Sequence, residues 1–170
     1  GILTTAEKKG LLKEAHRSLA AEQMMQLNCV GARIGQIGEV HAMTDVTGFG
    51  LLGHLIEMAE GSGLTANLNF SSIPLITPEI ENYIAAGSVP GGTNRNLDSY
   101  GHKVNFSEEY SLHLQKSILA DPQTSGGLLI SVSSAGYEDV CAVLRENGLQ
   151  DHTSIIGEMV GGEDFAVNIR

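Results

Sequence analysis

Tryptophan is absent from this chain, cysteine occurs twice, and basic residues are half as many as acidic ones, ten against twenty. Each shortage excludes something. With aromatics at only 5%, the core has to be mostly aliphatic. The two cysteines, Cys29 and Cys141, show no C-x-x-C or Cys/His ligand spacing, so neither a disulfide framework nor a zinc motif is indicated. Each sits in an apolar-periodic segment, and both are expected to be buried free thiols in a reducing compartment. A net charge of -10 leaves no basic face for duplex nucleic acid or an anionic membrane. No apolar run approaches transmembrane length and no signal peptide is visible, so a cytoplasmic location is expected.

What remains is a composition of 42% hydrophobic and 18% charged residues over 170 positions, which suits one globular domain with a respectable core. Glycine is plentiful, 21 in all, and clusters at 31–38, 48–53, 87–101, 126–127 and 161–162. Such clusters mark tight turns and close backbone approaches. The chain opens Gly1-Ile2-Leu3 without a methionine, as a segment of a longer protein would.

The most informative stretch is Thr44-Asp45-Val46-Thr47-Gly48-Phe49-Gly50-Leu51-Leu52-Gly53-His54. An apolar segment, Val40–Met43, enters it and an apolar-periodic segment, Leu51–Ala59, leaves it. The pattern is strand, glycine turn, helix, with one carboxylate at the hinge. Backbone N–H groups at such a helix start attract anions.

The remaining periodicities predict a helix over 6–28 with a capping box at Thr4 and Glu7. They predict a short buried strand at Val40–Thr44, a helix at 48–60 and a half-buried strand at 65–70. A short helix follows Pro78, with Ile80, Tyr83 and Ile84 inward. Residues 88–105 show no period and are expected to form a long loop. A helix over 108–119, a strand over 128–132 and a helix over 137–146 come next. Residues 154–160 and 165–169 are expected to close the chain as a hairpin. This order implies an α+β fold, a mixed sheet covered by helices.

Three places carry chemistry. Gly48-Phe49-Gly50-Leu51-Leu52-Gly53 spells G-x-G-x-x-G, yet the next strand ends Asn69-Phe70-Ser71 and supplies no acid for a ribose. Asp45 before the turn would repel a pyrophosphate unless a metal lay between, and Mg²⁺ takes one or two protein carboxylates with phosphate and water. The residues leave two readings open: Asp45 or Thr47 caps the helix, or Asp45 is a metal ligand. Arg95, with Thr93 and Asn94, either clamps a phosphate or belongs to a solvated turn. Asp121 is a candidate second acidic group, while Ser125 lies in no nucleophile elbow. Thr44, Gly48 and Arg95 are the candidate nucleotide contacts. His41 and His54 read as core packing, and no histidine pair has zinc spacing. Nothing supplies a nucleophile, a base and an orienter together, which points to part of a nucleotide or anion site.

Those stretches resemble the C-terminal half of the selenophosphate synthetase family. The matching motifs are Leu3–Lys9, Ala42–His54, Gly87–Asn96, Ser99–Gly101 and Asp121–Leu128, in order along almost the whole chain. The wider superfamily resembled is that of aminoimidazole ribonucleotide synthetase. The resemblance implies an α+β C-terminal domain spanning 1–170, whose N-terminal ATP-binding partner domain is absent here. It also implies an enzyme that makes selenophosphate from selenide, ATP and water with release of AMP and phosphate, with Mg²⁺ on the ATP phosphates. Asp45 matches the family's one metal-binding aspartate from this half. The reactive Cys or selenocysteine, the catalytic Lys, the ATP loop and the other metal aspartates belong to the other half, so this segment is expected to be inactive alone and to act within a homodimeric full-length enzyme. A related synthetase with another phosphoryl acceptor, and a non-catalytic binding or assembly module, remain the alternatives.

Overall fold

The computed structural model describes all 170 residues. The chain is α+β, with eight α-helices and six strands. Helix α1 is Ile2–Lys8, α2 Leu19–Met25, α3 Gly31–Ile34, α4 Gly50–Ser62, α5 Ile80–Ala85, α6 Gly91–Tyr100, α7 Leu112–Leu119 and α8 Tyr137–Glu146. The strands are β1 Val40–Asp45, β2 Leu64–Leu68, β3 Val104–Asn105, β4 Leu128–Val132, β5 Gly157–Gly161 and β6 Val167–Ile169.

The strands form two sheets. β1 and β4 make an antiparallel ladder, with Asp45 opposite Leu128. The second sheet is mixed, in the order β3-β6-β2-β5. β2 is antiparallel to β5 and parallel to β6. On its buried face Ala66, Leu68, Val104, Val167 and Ile169 join Leu52, Leu55, Ile56 and Ala59 of α4 in the main core. Alternation along each strand turns Asn67, Asn105 and Asn168 to the other face. A smaller core, Val30, Ile34, Val140 and Leu144, joins α3 and α8 beside the β1–β4 ladder. Helix α1 adds Ile2, Leu3 and Ala6 to the main core.

Several expectations are corrected. The single helix over 6–28 is broken into α1 and α2, because Gly10 takes a positive φ of 69° and Tyr83 Oη receives the Lys13 amide at 3.1 Å. Thr4 lies inside α1 and its hydroxyl donates to Gly1 O, so no capping box forms. The expected loop over 88–105 contains α6. Its inward residues are Thr93, Asn96 and Tyr100, at helical spacing but polar, and a search for apolar periodicity passes over them. The closing hairpin does not form, since β2 lies between β5 and β6. Thr65 Oγ1 anchors the connection by donating to Phe165 O and accepting from the Glu163 amide, both at 2.8 Å. Cys141 is buried but Cys29 is exposed, and His41, beside the irregularity between Val40 and Ala42 of β1, is also exposed.

Candidate functional site

The turn between β1 and α4 is held from every side. The Val46 amide donates to Gly127 O and the Gly126 amide to Val46 O, both at 2.9 Å. Thr47 O accepts from the Gly50 amide at 3.0 Å and the Gln123 amide at 3.1 Å. Asn96 Nδ2 donates to Gly48 O at 3.0 Å and to Ala120 O at 3.1 Å. Tyr100 Oη donates to Phe49 O at 2.5 Å. The Thr47 amide donates to His54 Nε2 at 3.0 Å. Backbone groups of a turn this crowded need partners, and the fold supplies them from α4, α6 and the 120–127 segment. Three motifs far apart in sequence therefore form one cluster.

Gly50 sits at the centre of it. Its φ is +68°, and a Cβ there would lie 2.9 Å from both Ala120 C and Leu119 O. Only glycine enters α4 at this angle beside that backbone. Burial pushes the Tyr100 phenol well above its ordinary range, while the Gly53 amide beside it pulls the other way and does not prevail.

Asp45 stands at the edge of this cluster. Its side chain is exposed and takes part in no hydrogen bond or ion pair of the chain. Neither Asp45 nor Thr47 caps α4, whose N-cap is Phe49 with no side-chain bond. Thr44 is half-buried and its hydroxyl donates to Asp45 O at 3.2 Å. Gly48 is exposed, with nothing within 4 Å of where a Cβ would be. Asn28, Gly31, Met43, Thr44, Asp45 and Leu128 line a shallow hollow beside the carboxylate. Its polar side chains offer oxygen donors, the chemistry a hard cation such as Mg²⁺ takes. No group of three or more His, Cys, Asp or Glu side chains comes together anywhere in the chain, so the residues around Asp45 form no complete metal cage.

Arg95 lies on the exposed face of the second turn of α6, next to buried Asn96. Its guanidinium folds back over the start of the helix, with Nη1 3.7 Å from the Cβ position of Gly91 and Nη2 3.7 Å from that of Gly92. Arg17, Arg33, Arg145 and Arg170 each face a carboxylate; Arg95 faces none. Arg95 is thus left without an ion-pair partner in a chain with twice as many acids as bases.

Asp121 does not join Asp45. It is buried, and its Oδ2 accepts from the Gly1 nitrogen at 3.0 Å and the Ile2 amide at 3.3 Å, at the start of α1. Burial raises its pKa above the usual carboxylate range, against the pull of those two nitrogens. His54, Asn96 and Tyr100 are the residues whose importance the sequence did not disclose; the only signal was a polar side chain at a helical core position.

The comparisons bear on this arrangement. The family of AIR synthase related protein, C-terminal domain, matches residues 1–170. A selenide, water dikinase of Pseudomonas putida is 51% identical over 169 residues, covering 99% of this chain and 47% of that protein. One from Yersinia pestis is 54% identical over 164 residues, covering 96% of this chain and 45% of that protein. The chain thus spans about half the length of the curated relatives it matches. Among solved structures, hydrogenase maturation protein HypE in complex with ATP aligns with a TM-score of 0.66 at 19% identity, covering 99% of this chain and 43% of that one, which shows a shared fold. With its whole length matched and its α+β architecture in agreement, this chain belongs to the AIR synthase related protein C-terminal domain family.

Proposed function

We propose that this chain is the C-terminal domain of a selenide, water dikinase, and that it covers the ATP site of an N-terminal domain and gives Asp45 to a Mg²⁺ ion on the ATP phosphates. Relatives of that name at 51% and 54% identity support the substrate assignment. The observation that carries the site is the Asp45 carboxylate, left without any partner beside a turn whose carbonyls at Val46, Thr47, Gly48 and Phe49 and whose Thr47 amide are all engaged. A charge placed on so rigid a mount, and not used by the chain, is suited to a ligand from outside.

In this reading Asp45 neutralises part of the ion's charge, and Thr44 and Gly48 let the nucleotide approach the end of β1. Arg95 pairs with a phosphate oxygen. Mg²⁺, when bound, offsets the charge that ATP phosphates and several carboxylates place in one pocket. The rest of the catalytic apparatus comes from the other half of the enzyme, and the full protein works as a cytoplasmic homodimer. No helix of this chain is long and apolar enough to cross a membrane.

The test compares the 170-residue chain with the two-domain protein that carries it. The chain alone gives no selenide-dependent AMP release and binds Mg-ATP weakly, since one carboxylate does not enforce an octahedral shell. The two-domain protein turns over, and its Asp45→Asn variant does not while melting normally. Selenophosphate production by the short chain, or ordinary turnover by the variant, contradicts the proposal.

A further inference from the structure

His54 is buried on the inner face of α4, and its ring reaches back to the turn from which the helix grows. The Thr47 amide lies 3.0 Å from Nε2, and the Thr47 hydroxyl 3.2 Å from the same nitrogen. A backbone N–H only donates, so Nε2 is the unprotonated nitrogen and the ring proton sits on Nδ1. Nδ1 is buried and has no partner. A buried donor without an acceptor is unfavourable. An apolar side chain would pack in that place without this penalty. The ring's proton is therefore placed unfavourably so that its other nitrogen can accept from Thr47.

The Thr47 amide has another natural suitor. It is the donor two residues beyond Asp45, the one an aspartate captures when it folds into an Asx turn. No carbonyl of the chain accepts from this amide. With Nε2 in place the amide is satisfied, and the Asp45 carboxylate extends to solvent with no hydrogen bond. We propose that His54 is a positioning residue: by taking the Thr47 amide it keeps Asp45 from closing on its own backbone and holds the carboxylate available to a cation. The inference deepens the Mg²⁺ reading of Asp45 and depends on it.

The side-chain lengths give a discriminating set of variants. In His54→Gln the amide oxygen reaches the place of Nε2 and accepts as the ring does. In His54→Asn it stops short, near the place of Nδ1, and His54→Leu has no acceptor. Nitrogen NMR of the 170-residue chain first checks the bond itself: an unprotonated Nε2, a protonated Nδ1 and a slowly exchanging Thr47 amide are expected. The two-domain protein then gives the functional readout, the Mg²⁺ concentration for half-maximal ATP turnover. His54→Asn and His54→Leu raise it about tenfold or more, and His54→Gln stays within about threefold of the wild type. Melting temperatures of all variants serve as the fold control, and the Gln and Asn pair decides the matter if the Leu variant does not fold. A folded Asn variant with an unchanged Mg²⁺ requirement, or a Gln variant as impaired as Asn, overturns the role of His54. If Asp45→Asn still loses turnover in that case, the reading of Asp45 survives. If Asp45→Asn turns over normally, the Asp45 reading fails and the inference falls with it, whatever the NMR shows of the bond.

Discussion

Asp45, Asn96 and Asp121 are three polar residues with three different physical tasks, and their energetics separate them. Asp45 is exposed and unpartnered, so Asp45→Asn leaves the unfolding free energy within about 0.5 kcal/mol of the wild type, as chemical denaturation will show. Asn96 is buried and donates to two carbonyls, Gly48 O at the edge of the turn and Ala120 O in the interior. Asn96→Leu orphans both and costs about 2–3 kcal/mol by the same measurement, where exposed Asn94→Ala costs almost nothing. Asp121 has a carboxyl pKa raised by burial. The unfolded chain releases this proton at lower pH than the folded one, so the native state binds more protons between the two values. Its contribution to stability is complete below the unfolded pKa and is lost as pH rises through the folded one. Asp121→Asn removes this loss, so urea unfolding will show the variant gaining on the wild type from about pH 4 upward until the raised value is passed. Asp45 stands out in the sequence because its place between strand and helix is local information. The roles of His54, Asn96 and Asp121 do not, since their partners are set by tertiary folding.

At the scale of elements, α4 is where local and tertiary demands meet. Its entry glycine and a glycine of its last turn respond to alanine with opposite signs. Gly50→Ala strains a positive φ and drives a Cβ onto the Ala120 backbone, and costs more than about 1 kcal/mol. Gly61→Ala meets nothing within 4 Å, lies at an ordinary φ and gains about 0.5–1 kcal/mol from helix propensity. Thermal melts of the two variants, moving in opposite directions, check the pair. Helices α4, α5, α7 and α8 and strands β1, β2 and β4 were legible because each has an apolar face of its own. Helix α6 was not, since Thr93, Asn96 and Tyr100 face inward to serve polar groups. The break between α1 and α2 is hidden from local pattern for a related reason: Leu11, Met24 and Leu27, which complete an apolar stripe in the sequence, are exposed in the folded chain. Pairing order was also beyond local pattern. Strands β5 and β6 have hairpin signals, yet both pair better with β2, whose Ala66 and Leu68 are in register with Val167 and Ile169.

For the whole molecule, alternating helix and strand patterns were enough to give the α+β class, and the order of motifs along the chain was enough to give the family. The division into two sheets and the gathering of residues 44–54, 91–100 and 120–127 around one turn required the structure. That gathering gives a firmly held turn with the unpartnered Asp45 carboxylate at its edge. The chain spans about half the length of the relatives it matches. The most direct measurement is anomalous scattering from crystals of the two-domain protein grown with Mn²⁺ in place of Mg²⁺ and a non-hydrolysable ATP analogue. The account predicts a metal peak within about 2.2 Å of an Asp45 carboxylate oxygen, with the same ion on the analogue's phosphates. Metal peaks on those phosphates with the Asp45 side chain turned back onto the Thr47 amide, away from every ion, would contradict it.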